Sequence, residues 1–322
     1  MTNSAKISKN SSFLFFLLFA IMAVAPFVLP IYWLIILTEI IIMGFFAMSF
    51  NLLFGFTGLL SFGQAGFFGV GAYCTALLIQ NGIESLTLIL SAAILGALLA
   101  ALVIGFLCVK RDEIYFAMIT LGFGMMLYTI AHNWIGVTGG SDGLPLCTIP
   151  ALKFLNWEVS LYDPRWMYLF SLSVISLGIL VLWRLTRSPF GLILTAVREN
   201  KERLAFVGAN VSWVRLTSFT IAGGLAGLAG GLFALFNCMA TPDFMHWSFS
   251  SRPILMTVMG GSGIFLGPAF GAAIFFTLEQ LITNVTENWM IFLGAFLIPI
   301  VIFFPSGILG TIVEIVKRRR ES

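Results

Sequence analysis

Apolar stretches of about 20 residues, each long enough to cross a bilayer as a helix, follow one another along most of this chain. Within hydrocarbon, such a stretch satisfies its backbone hydrogen bonds by becoming helical. Charged residues make up 10% of the 322 residues, whereas soluble domains average about 25%. The sequence therefore predicts an all-α polytopic membrane protein. Clear spans are predicted at Phe13–Leu29, Ile31–Phe54, Leu86–Val109, Ile114–Trp134, Trp166–Leu185, Leu216–Phe236 and Trp289–Phe304.

Two further apolar regions, Thr57–Ile79 and Pro253–Thr283, are crowded with glycine. We expect the first to cross the membrane once and the second to cross twice, with a short turn near Gly260–Pro268. Together with the clear spans, they give about ten membrane-crossing helices in a single transmembrane domain that covers residues 1–322. Glycine-interrupted helices are tolerated at membrane depth where they face protein or a watery cavity, and transporters use them to build substrate passages.

The distribution of Lys and Arg predicts the orientation. With the N-terminus inside and ten crossings, 14 of the 17 basic residues fall on inner segments, including those of a basic tail at 305–322. The outer segments hold Lys153, Arg165 and Arg252. This asymmetry follows the positive-inside rule, so both termini are expected in the cytoplasm. Nine crossings would instead place the basic tail outside.

The N-terminal segment also resembles a secretory signal, because two lysines precede the apolar run and Ala23-Val24-Ala25 offers small residues at a cleavage-like spacing. Pro26 follows immediately and disfavours cutting. We therefore expect an uncleaved first helix.

Polar residues in and just before the glycine-rich regions are candidates for lining a passage. The alternative is that these groups only hydrogen-bond neighbouring helices, and the sequence leaves both open. The candidate lining residues are Asn51, Thr57, Ser61, Gln64, Thr257 and Ser262.

Glu39 is the acidic residue that lies well inside a clear span. An intramembrane carboxylate raises the alternative of an ion-coupled secondary transporter. A single acid is thin support for that class, so a structural or gating role for Glu39 is the preferred interpretation.

The sequence gives no sign of chemistry within this chain. Its cysteines and histidines lack metal-ligand spacing, and there is no Gly-Lys dipeptide and hence no P-loop. We therefore expect neither an enzyme nor a bound metal or cofactor. The cysteines and histidines are Cys74, Cys108, Cys147, Cys238, His132 and His246.

A polar segment at about 186–215 separates two long apolar runs and must lie in water. Ser188 is a good N-cap, Pro189 suits the first helical position, and Gly208 can end a short helix. In that helix Leu192, Ala196 and Val197 would form one apolar stripe, and residues 198–202 a polar ridge. Such a helix either lies on the membrane surface or docks to a protein, and its mixed charges favour docking.

Several blocks of the sequence resemble one family, the LivM-type permeases of branched-chain amino acid ABC importers. The blocks occur in the family's order and cover most of the chain. They are N-L-L-F-G-F-T-G-L-L-S-F-G-Q-A-G-F-F-G-V-G-A-Y (Asn51–Tyr73), T-G-G-S-D-G-L (Thr138–Leu144), T-R-S-P-F-G-L-I-L-T-A-V-R-E-N-K-E-R-L-A-F-V-G-A-N-V (Thr186–Val211), T-I-A-G-G-L-A-G-L-A-G-G-L-F-A (Thr220–Ala234) and V-M-G-G-S-G-I-F-L-G-P-A-F-G-A (Val258–Ala272).

This resemblance implies a permease subunit in the bacterial cytoplasmic (inner) membrane. Its implied partners are a second homologous permease, two ABC ATPase subunits that hold ATP and Mg, and a periplasmic or lipid-anchored substrate-binding protein, with no nucleic acid. The polar loop would dock on an ATPase and couple hydrolysis to transport. Its implied coupling residues are Arg187, Phe190, Gly191, Ala196, Arg198, Glu199, Asn200 and Glu202.

The substrate is less well determined than the family. Branched-chain amino acids are the preferred substrates, and urea or short amides are the alternative, because related permeases carry those solutes and the binding protein usually sets selectivity.

Overall fold

The computed structural model describes residues 19, 22–111, 113–146, 150–154, 157–283, 286, 289–304 and 306–312. Residues 22–28 are helical, and the rest of the predicted first span lies largely outside the described residues. The labelled helices are α1 Ile31–Thr57, α2 Gln64–Gln80, α3 Leu86–Cys108, α4 Glu113–Asn133, α5 Ile135–Thr138, α6 Pro164–Thr186, α7 Pro189–Glu199, α8 Lys201–Phe206, α9 Val211–Asn237, α10 Trp247–Gly260, α11 Gly267–Thr283 and α12 Trp289–Phe303.

Five of these helices, α1, α3, α4, α6 and α9, are long and apolar enough to cross a membrane. Each coincides with a predicted clear span to within a few residues. The prediction of a helical, multi-pass membrane protein is confirmed at this level.

Helix α9 is the centre of the bundle, and its glycines let neighbouring backbones approach closely. A Cβ on Gly230 would lie 1.8 Å from the carbonyl oxygen of Phe68 in α2. The glycine stripe at positions 223, 227 and 231 faces α2 and α3, where a Cβ on Gly227 would lie 2.2 Å from the Cβ of Ala97. Small residues at a spacing of four permit this packing in membrane proteins.

The chain leaves helical structure between α1 and α2, at residues 58–63. Gly58 adopts a left-handed conformation (φ 74°) that ends α1 and returns its N–H to the carbonyl of Leu53. Helix α2 then begins at Gln64 and continues without a break through its own glycines. We call residues 58–63 the α1–α2 break.

Helices α10 and α11 form an antiparallel hairpin, with the turn at residues 261–266. A Cβ on Gly271 would lie 1.8 Å from the carbonyl oxygen of Met256, so glycine is required where the two helices meet. The turn itself rests against Gly307, where a Cβ would lie 2.3 Å from the Cα of Gly261.

Two short antiparallel sheets accompany the helices. The all-α prediction did not include these sheets. Strand β1, Leu144–Pro145, pairs with β4, Met239–Ala240, and β2, Leu152–Phe154, pairs with β3, Trp157–Val159. Strands of two or three residues are too short to show an alternating pattern in sequence. The β1–β4 pair joins the two segments that we expect on the outer side, so these segments lie at the same end of the bundle.

Candidate functional site

The polar loop folds as two helices, α7 and α8, instead of the single short helix predicted from sequence. Asn200 interrupts the helix with an extended backbone (φ −161°) and caps α8, because its side chain accepts a hydrogen bond of 2.9 Å from the N–H of Arg203. Pro189 takes the first position of α7 as expected. Ser188 occupies the N-cap position, but its hydroxyl donates to the carbonyl of Leu185 at 2.6 Å and does not cap the helix.

The buried face of α7 differs from the predicted apolar stripe. Gly191, Leu194 and Val197 are buried, whereas Leu192 is 72% exposed, so the stripe through Leu192 is wrong. The physical reason is that α7 packs on the ends of α1, α6 and α9 through residues spaced by three. A Cβ on Gly191 would lie 2.1 Å from the carbonyl oxygen of Thr186, which explains the need for glycine there.

Arg198 connects α7 directly to the end of α1. Its Nη1 donates a hydrogen bond to the carbonyl oxygen of Gly55. A Cβ on Gly58 would lie 3.0 Å from the Cγ of Arg198, so the arginine stem also covers the start of the α1–α2 break. Arg198 therefore joins α7 to the end of α1 by a direct contact.

The other predicted coupling residues divide into an inward and an outward group. Phe190 and Ala196 are half-buried, and Phe190 packs against the core. The guanidinium of Arg187 lies 4.6 Å from the centre of the Trp183 ring. Glu199, Asn200 and Glu202 are exposed and form the outward group.

The loop presents apolar side chains to solvent that were not predicted from the sequence. Phe206 is 91% exposed and Val207 is 84% exposed, at the end of α8. Together with Leu192 they form the exposed apolar surface of the loop. In the sequence, Phe206 and Val207 are recognisable as an apolar pair inside a segment that is otherwise rich in charged residues.

The candidate passage residues lie mainly in the interior of the subunit. Asn51, Thr57, Ser61, Gln64 and Thr257 are buried, and Ser262 is half-buried in the turn between α10 and α11.

Three of these residues bond to backbone carbonyls. The Nε2 of Gln64 donates to the carbonyl of Ala222 at 3.1 Å, and Thr257 donates to that of Ala47 at 3.4 Å. Thr57 donates to the carbonyl of Leu53 within its own helix. Hydrogen bonding to neighbouring helices therefore accounts for part of this set.

Other polar atoms of the same set are buried without a hydrogen-bond partner among the described residues. They are the Oδ1 of Asn51, the Oγ of Ser61 and the Oε1 of Gln64. Gly55 lies between Asn51 and the turn that joins α10 to α11. A Cβ on Gly55 would lie 2.2 Å from the Oδ1 of Asn51 and 2.5 Å from the carbonyl oxygen of Ser262. The structure thus brings Asn51, Ser262 and the Arg198 contact to one place, and their use in transport stays a prediction.

An open groove runs between the α1–α2 break and the start of α4. It is lined mainly by apolar side chains, with Glu113 at one end. Farther along α4 the exposed residues include the small or polar Gly122, Thr129, His132 and Asn133 beside the apolar Met126 and Ile130. We call the groove together with these exposed residues the α4 surface. The groove residues are Gly58, Leu60, Phe62, Glu113, Ile114, Ala117, Met118 and Leu121.

The two histidines, which lie far apart in sequence, meet at the ring of Tyr128. The ring centroid of Tyr128 is 5.5 Å from that of His132 and 5.1 Å from that of His246. No group of three or more potential metal ligands occurs among the residues that the structure describes.

Comparisons with known proteins identify the relatives of this chain. The family described as branched-chain amino acid transport system / permease component matches residues 32–301. The high-affinity branched-chain amino acid transport system permease protein LivM of Salmonella typhimurium is 29% identical, over 92% of this chain and 74% of that protein. The probable LivM permease of Methanocaldococcus jannaschii is 24% identical, over 82% of this chain and 89% of the relative.

This chain is also similar to the high-affinity branched-chain amino acid transport system permease protein LivH of Salmonella typhimurium. It is 24% identical, over 82% of this chain and 90% of LivH. No solved structure gives a significant match to this chain.

Proposed function

The chain belongs to the branched-chain amino acid transport system permease family, and on that premise we propose that it is the membrane-spanning subunit of an ATP-driven importer of branched-chain amino acids. The observation that carries this proposal is the family match over residues 32–301 together with the similarity to LivM over 92% of the chain. A permease of this kind moves its substrate and catalyses no reaction. Hydrolysis of ATP is assigned to separate subunits, because the sequence lacks a P-loop.

We assign coupling to α7 and α8. One of the two ATPase subunits would grip the exposed residues of this loop, which combine charge at Glu199 and Glu202 with apolar area at Leu192 and Phe206. Interfaces commonly place aromatic and aliphatic side chains within a polar rim. The hydrogen bond from Arg198 to Gly55 then carries the displacement of α7 into α1.

The α1–α2 break is where that displacement would act on the passage. Ser61 lies in the break and Gln64 begins the helix that follows it. A non-helical segment inside a membrane protein moves at a lower energetic cost than the middle of a helix, because fewer backbone hydrogen bonds must change. The unpartnered polar atoms of Asn51, Ser61 and Gln64 support a role for this region in accepting a polar substrate.

A second permease is assigned to the α4 surface. This chain is similar to both LivM and LivH, which are two permease proteins of one transport system in Salmonella typhimurium. Pairing of two such chains would cover the groove and the exposed glycine, threonine and asparagine of α4. The substrate passage would lie along this contact between the two permeases.

The remaining partners and the location follow from the same family. A periplasmic or lipid-anchored binding protein would deliver substrate to the end of the bundle that holds β1 and β4. The chain would lie in the bacterial cytoplasmic membrane with about ten crossings and both termini in the cytoplasm. The distribution of basic residues supports this orientation. The contact between Arg198 and Gly55 fits a position of the α7–α8 loop and the end of α1 on the same side.

Reconstitution tests the proposal. The chain is purified with its partner permease and ATPases, inserted in liposomes, and supplied with the binding protein. We expect uptake of leucine, isoleucine or valine that requires ATP. Uptake of urea in place of these amino acids would contradict the substrate assignment, and uptake by this chain alone under an ion gradient would contradict the ATP-driven class.

A further inference from the structure

A groove lies between the end of α3 and the start of α9. Behind it the two helices pack closely, since a Cβ on Gly105 would lie 2.7 Å from the Cδ1 of Phe219 and 2.9 Å from the Cδ1 of Leu216. Leu216 is buried and forms the floor of the groove. We call this feature the α3–α9 groove. It is lined by Leu102, Val103, Phe106, Leu107, Trp213 and Leu216.

The walls of the α3–α9 groove are exposed apolar side chains. Val103 is 62% exposed, Phe106 is 59% exposed and Trp213 is 62% exposed, so the described part of the chain leaves them open. Leu102 precedes the last residue of α3, Cys108, by six residues, which corresponds to about 9 Å along the helix axis. The groove therefore enters the apolar part of a membrane span, where lipid acyl chains lie and a soluble partner does not reach.

The α3–α9 groove lies apart from the α4 surface. Two residues turn an α-helix by about 200°, so Trp213 and Arg215 are on opposite faces of α9. Arg215 faces α4, where its Nη2 lies 3.8 Å from the Oε1 of Glu113. Trp213 faces the groove. The groove is thus separate from the surface that we assign to the second permease.

Two cations follow the end of α3 beside the groove. The Nζ of Lys110 lies 5.5 Å from the centre of the Phe106 ring, which is one of the groove walls. Arg111 comes next and is exposed. An ammonium group has three N–H donors, so Lys110 can contact the ring and still bind an anion. The acidic residues that follow in sequence are Asp112, which lies outside the described residues, and Glu113, which pairs with Arg215.

This arrangement matches the order of chemical groups in a phospholipid. The apolar walls suit an acyl chain, and Trp213 suits the interface between hydrocarbon and headgroups, where tryptophan is enriched. Lys110 and Arg111 suit an anionic headgroup. The cytoplasmic leaflet carries the anionic lipids that attract basic clusters, and basic grooves between membrane helices on that side bind their headgroups. The distribution of Lys and Arg in the sequence places this end of α3 on the same side.

We propose that the α3–α9 groove is a binding site for an anionic phospholipid of the cytoplasmic leaflet. Its phosphate would contact Lys110 and Arg111, and one acyl chain would lie along Val103 and Phe106. The choice of leaflet rests on the proposed import function, whereas the preference for an anionic headgroup does not. Trp213 lies in the first turn of α9, so the lipid would be bound beside the helix that leads out of the coupling loop.

Quenching of Trp213 fluorescence by brominated lipid tests this inference. The complex of both permeases and the ATPases is placed in nanodiscs of phosphatidylcholine and phosphatidylglycerol with equal acyl chains, and bromine is carried on the chains of one lipid or the other. The difference between wild type and Trp213→Phe gives the signal of Trp213 alone. Comparison of the two labelled mixtures then gives the preference of the groove for phosphatidylglycerol.

The variant Lys110→Gln/Arg111→Gln removes both cations of the groove. Its matched control is Arg184→Gln/Arg203→Gln, which removes two exposed arginines of the predicted inner segments that do not line the groove. Each pair of substitutions is measured with and without Trp213→Phe, and a melting curve checks that the variants are folded.

We expect the wild-type groove to prefer phosphatidylglycerol over phosphatidylcholine about fivefold or more, because each Lys or Arg near the surface attracts anionic lipid. The preference should be nearly lost in Lys110→Gln/Arg111→Gln and retained in the control. Lys110→Arg/Arg111→Lys, which keeps both charges, should retain most of it.

Equal quenching by the two lipids in wild type would overturn the inference, because the groove would then contact bulk lipid only. A preference that survives Lys110→Gln/Arg111→Gln would overturn it too. So would a Trp213 that neither lipid quenches, since protein would then cover the groove.

The lipid site and the transport function fail separately. ATP-driven leucine uptake combined with equal quenching by the two lipids rejects the lipid site alone. A lipid preference that depends on Lys110 and Arg111, without uptake of any branched-chain amino acid, rejects the transport function alone.

Discussion

The guanidinium of Arg198 donates a hydrogen bond to the backbone carbonyl of Gly55, across 143 positions of sequence. This contact ties the polar loop to the last turn of α1, next to the glycine that ends the helix. Because the acceptor is a backbone atom, the contact depends on the arginine and on the position of α1, and on no other side chain. It is the structural basis for assigning α7 the role of a coupling helix.

Replacement of Arg198 by Met should uncouple the transporter. We expect ATP-driven leucine uptake to fall about tenfold or more while ATP hydrolysis continues, since a hydrogen bond from a charged donor contributes about 1.5–3 kcal/mol. Parallel assays of uptake and phosphate release measure the ratio. Arg184→Met, which alters an exposed arginine at the end of α6, is the control. Normal uptake per ATP in Arg198→Met would remove the contact from the coupling route.

Gly191→Ala should displace α7. The added Cβ would lie 2.1 Å from the carbonyl oxygen of Thr186, and the backbone cannot yield without moving the helix. We expect a loss of about 1–3 kcal/mol in stability and weaker retention of the ATPases during purification. Gly294→Ala in α12 meets nothing within 4 Å and should behave as wild type. Equal ATPase retention in both variants would contradict the packing of α7 described above.

Gly230→Ala should destabilise the bundle. Its Cβ would lie 1.8 Å from the carbonyl oxygen of Phe68, so α9 and α2 would have to separate. We expect a cost of about 3 kcal/mol or more, seen as a lower melting temperature in detergent. Gly224 lies on the same helix, where an added Cβ would meet ordinary contacts at 3.5 Å, and Gly224→Ala should have little effect. Identical melting temperatures would argue against the close approach of these helices.

The α4 surface should contact the second permease. In a background without native cysteines, Gly122→Cys on α4 is expected to form a cross-link to the partner permease with a short bifunctional reagent. Leu99→Cys, on the exposed face of α3, is the control and should remain uncross-linked. Cross-linking through Leu99 and not through Gly122 would move the permease contact to another face.

The helical bundle could be predicted from the sequence, because a long apolar stretch in a membrane must satisfy its own backbone hydrogen bonds and does so as a helix. The bounds of α1, α3, α4, α6 and α9 follow from that rule. The orientation of α7 was not predictable, because its buried face is set by the ends of other helices. Leu192, which the predicted stripe included, is therefore exposed, and Leu194, which it left out, is buried.

The candidate site was predictable only in part. The glycine-rich blocks identified the α1–α2 break and the turn between α10 and α11, but no local pattern links Arg198 to Gly55. Contacts between residues so far apart in sequence depend on tertiary packing, which spacing along one chain does not encode. The exposure of Phe206 is a similar case, since an apolar residue in a loop is more often covered.

The central claim is that the α7–α8 loop meets the ATPase in the cytoplasm, and Glu199→Cys tests it most directly. The variant is made in a cysteine-free background and assembled with its partners in inside-out and right-side-out vesicles. When the ATPases are stripped from the vesicles, we expect a membrane-impermeant thiol reagent to label the Glu199→Cys variant in inside-out vesicles only. In the full complex, we expect a photoactivated cross-linker at this position to capture an ATPase subunit. Labelling in right-side-out vesicles, or a cross-link to the substrate-binding protein in place of the ATPase, would contradict the account.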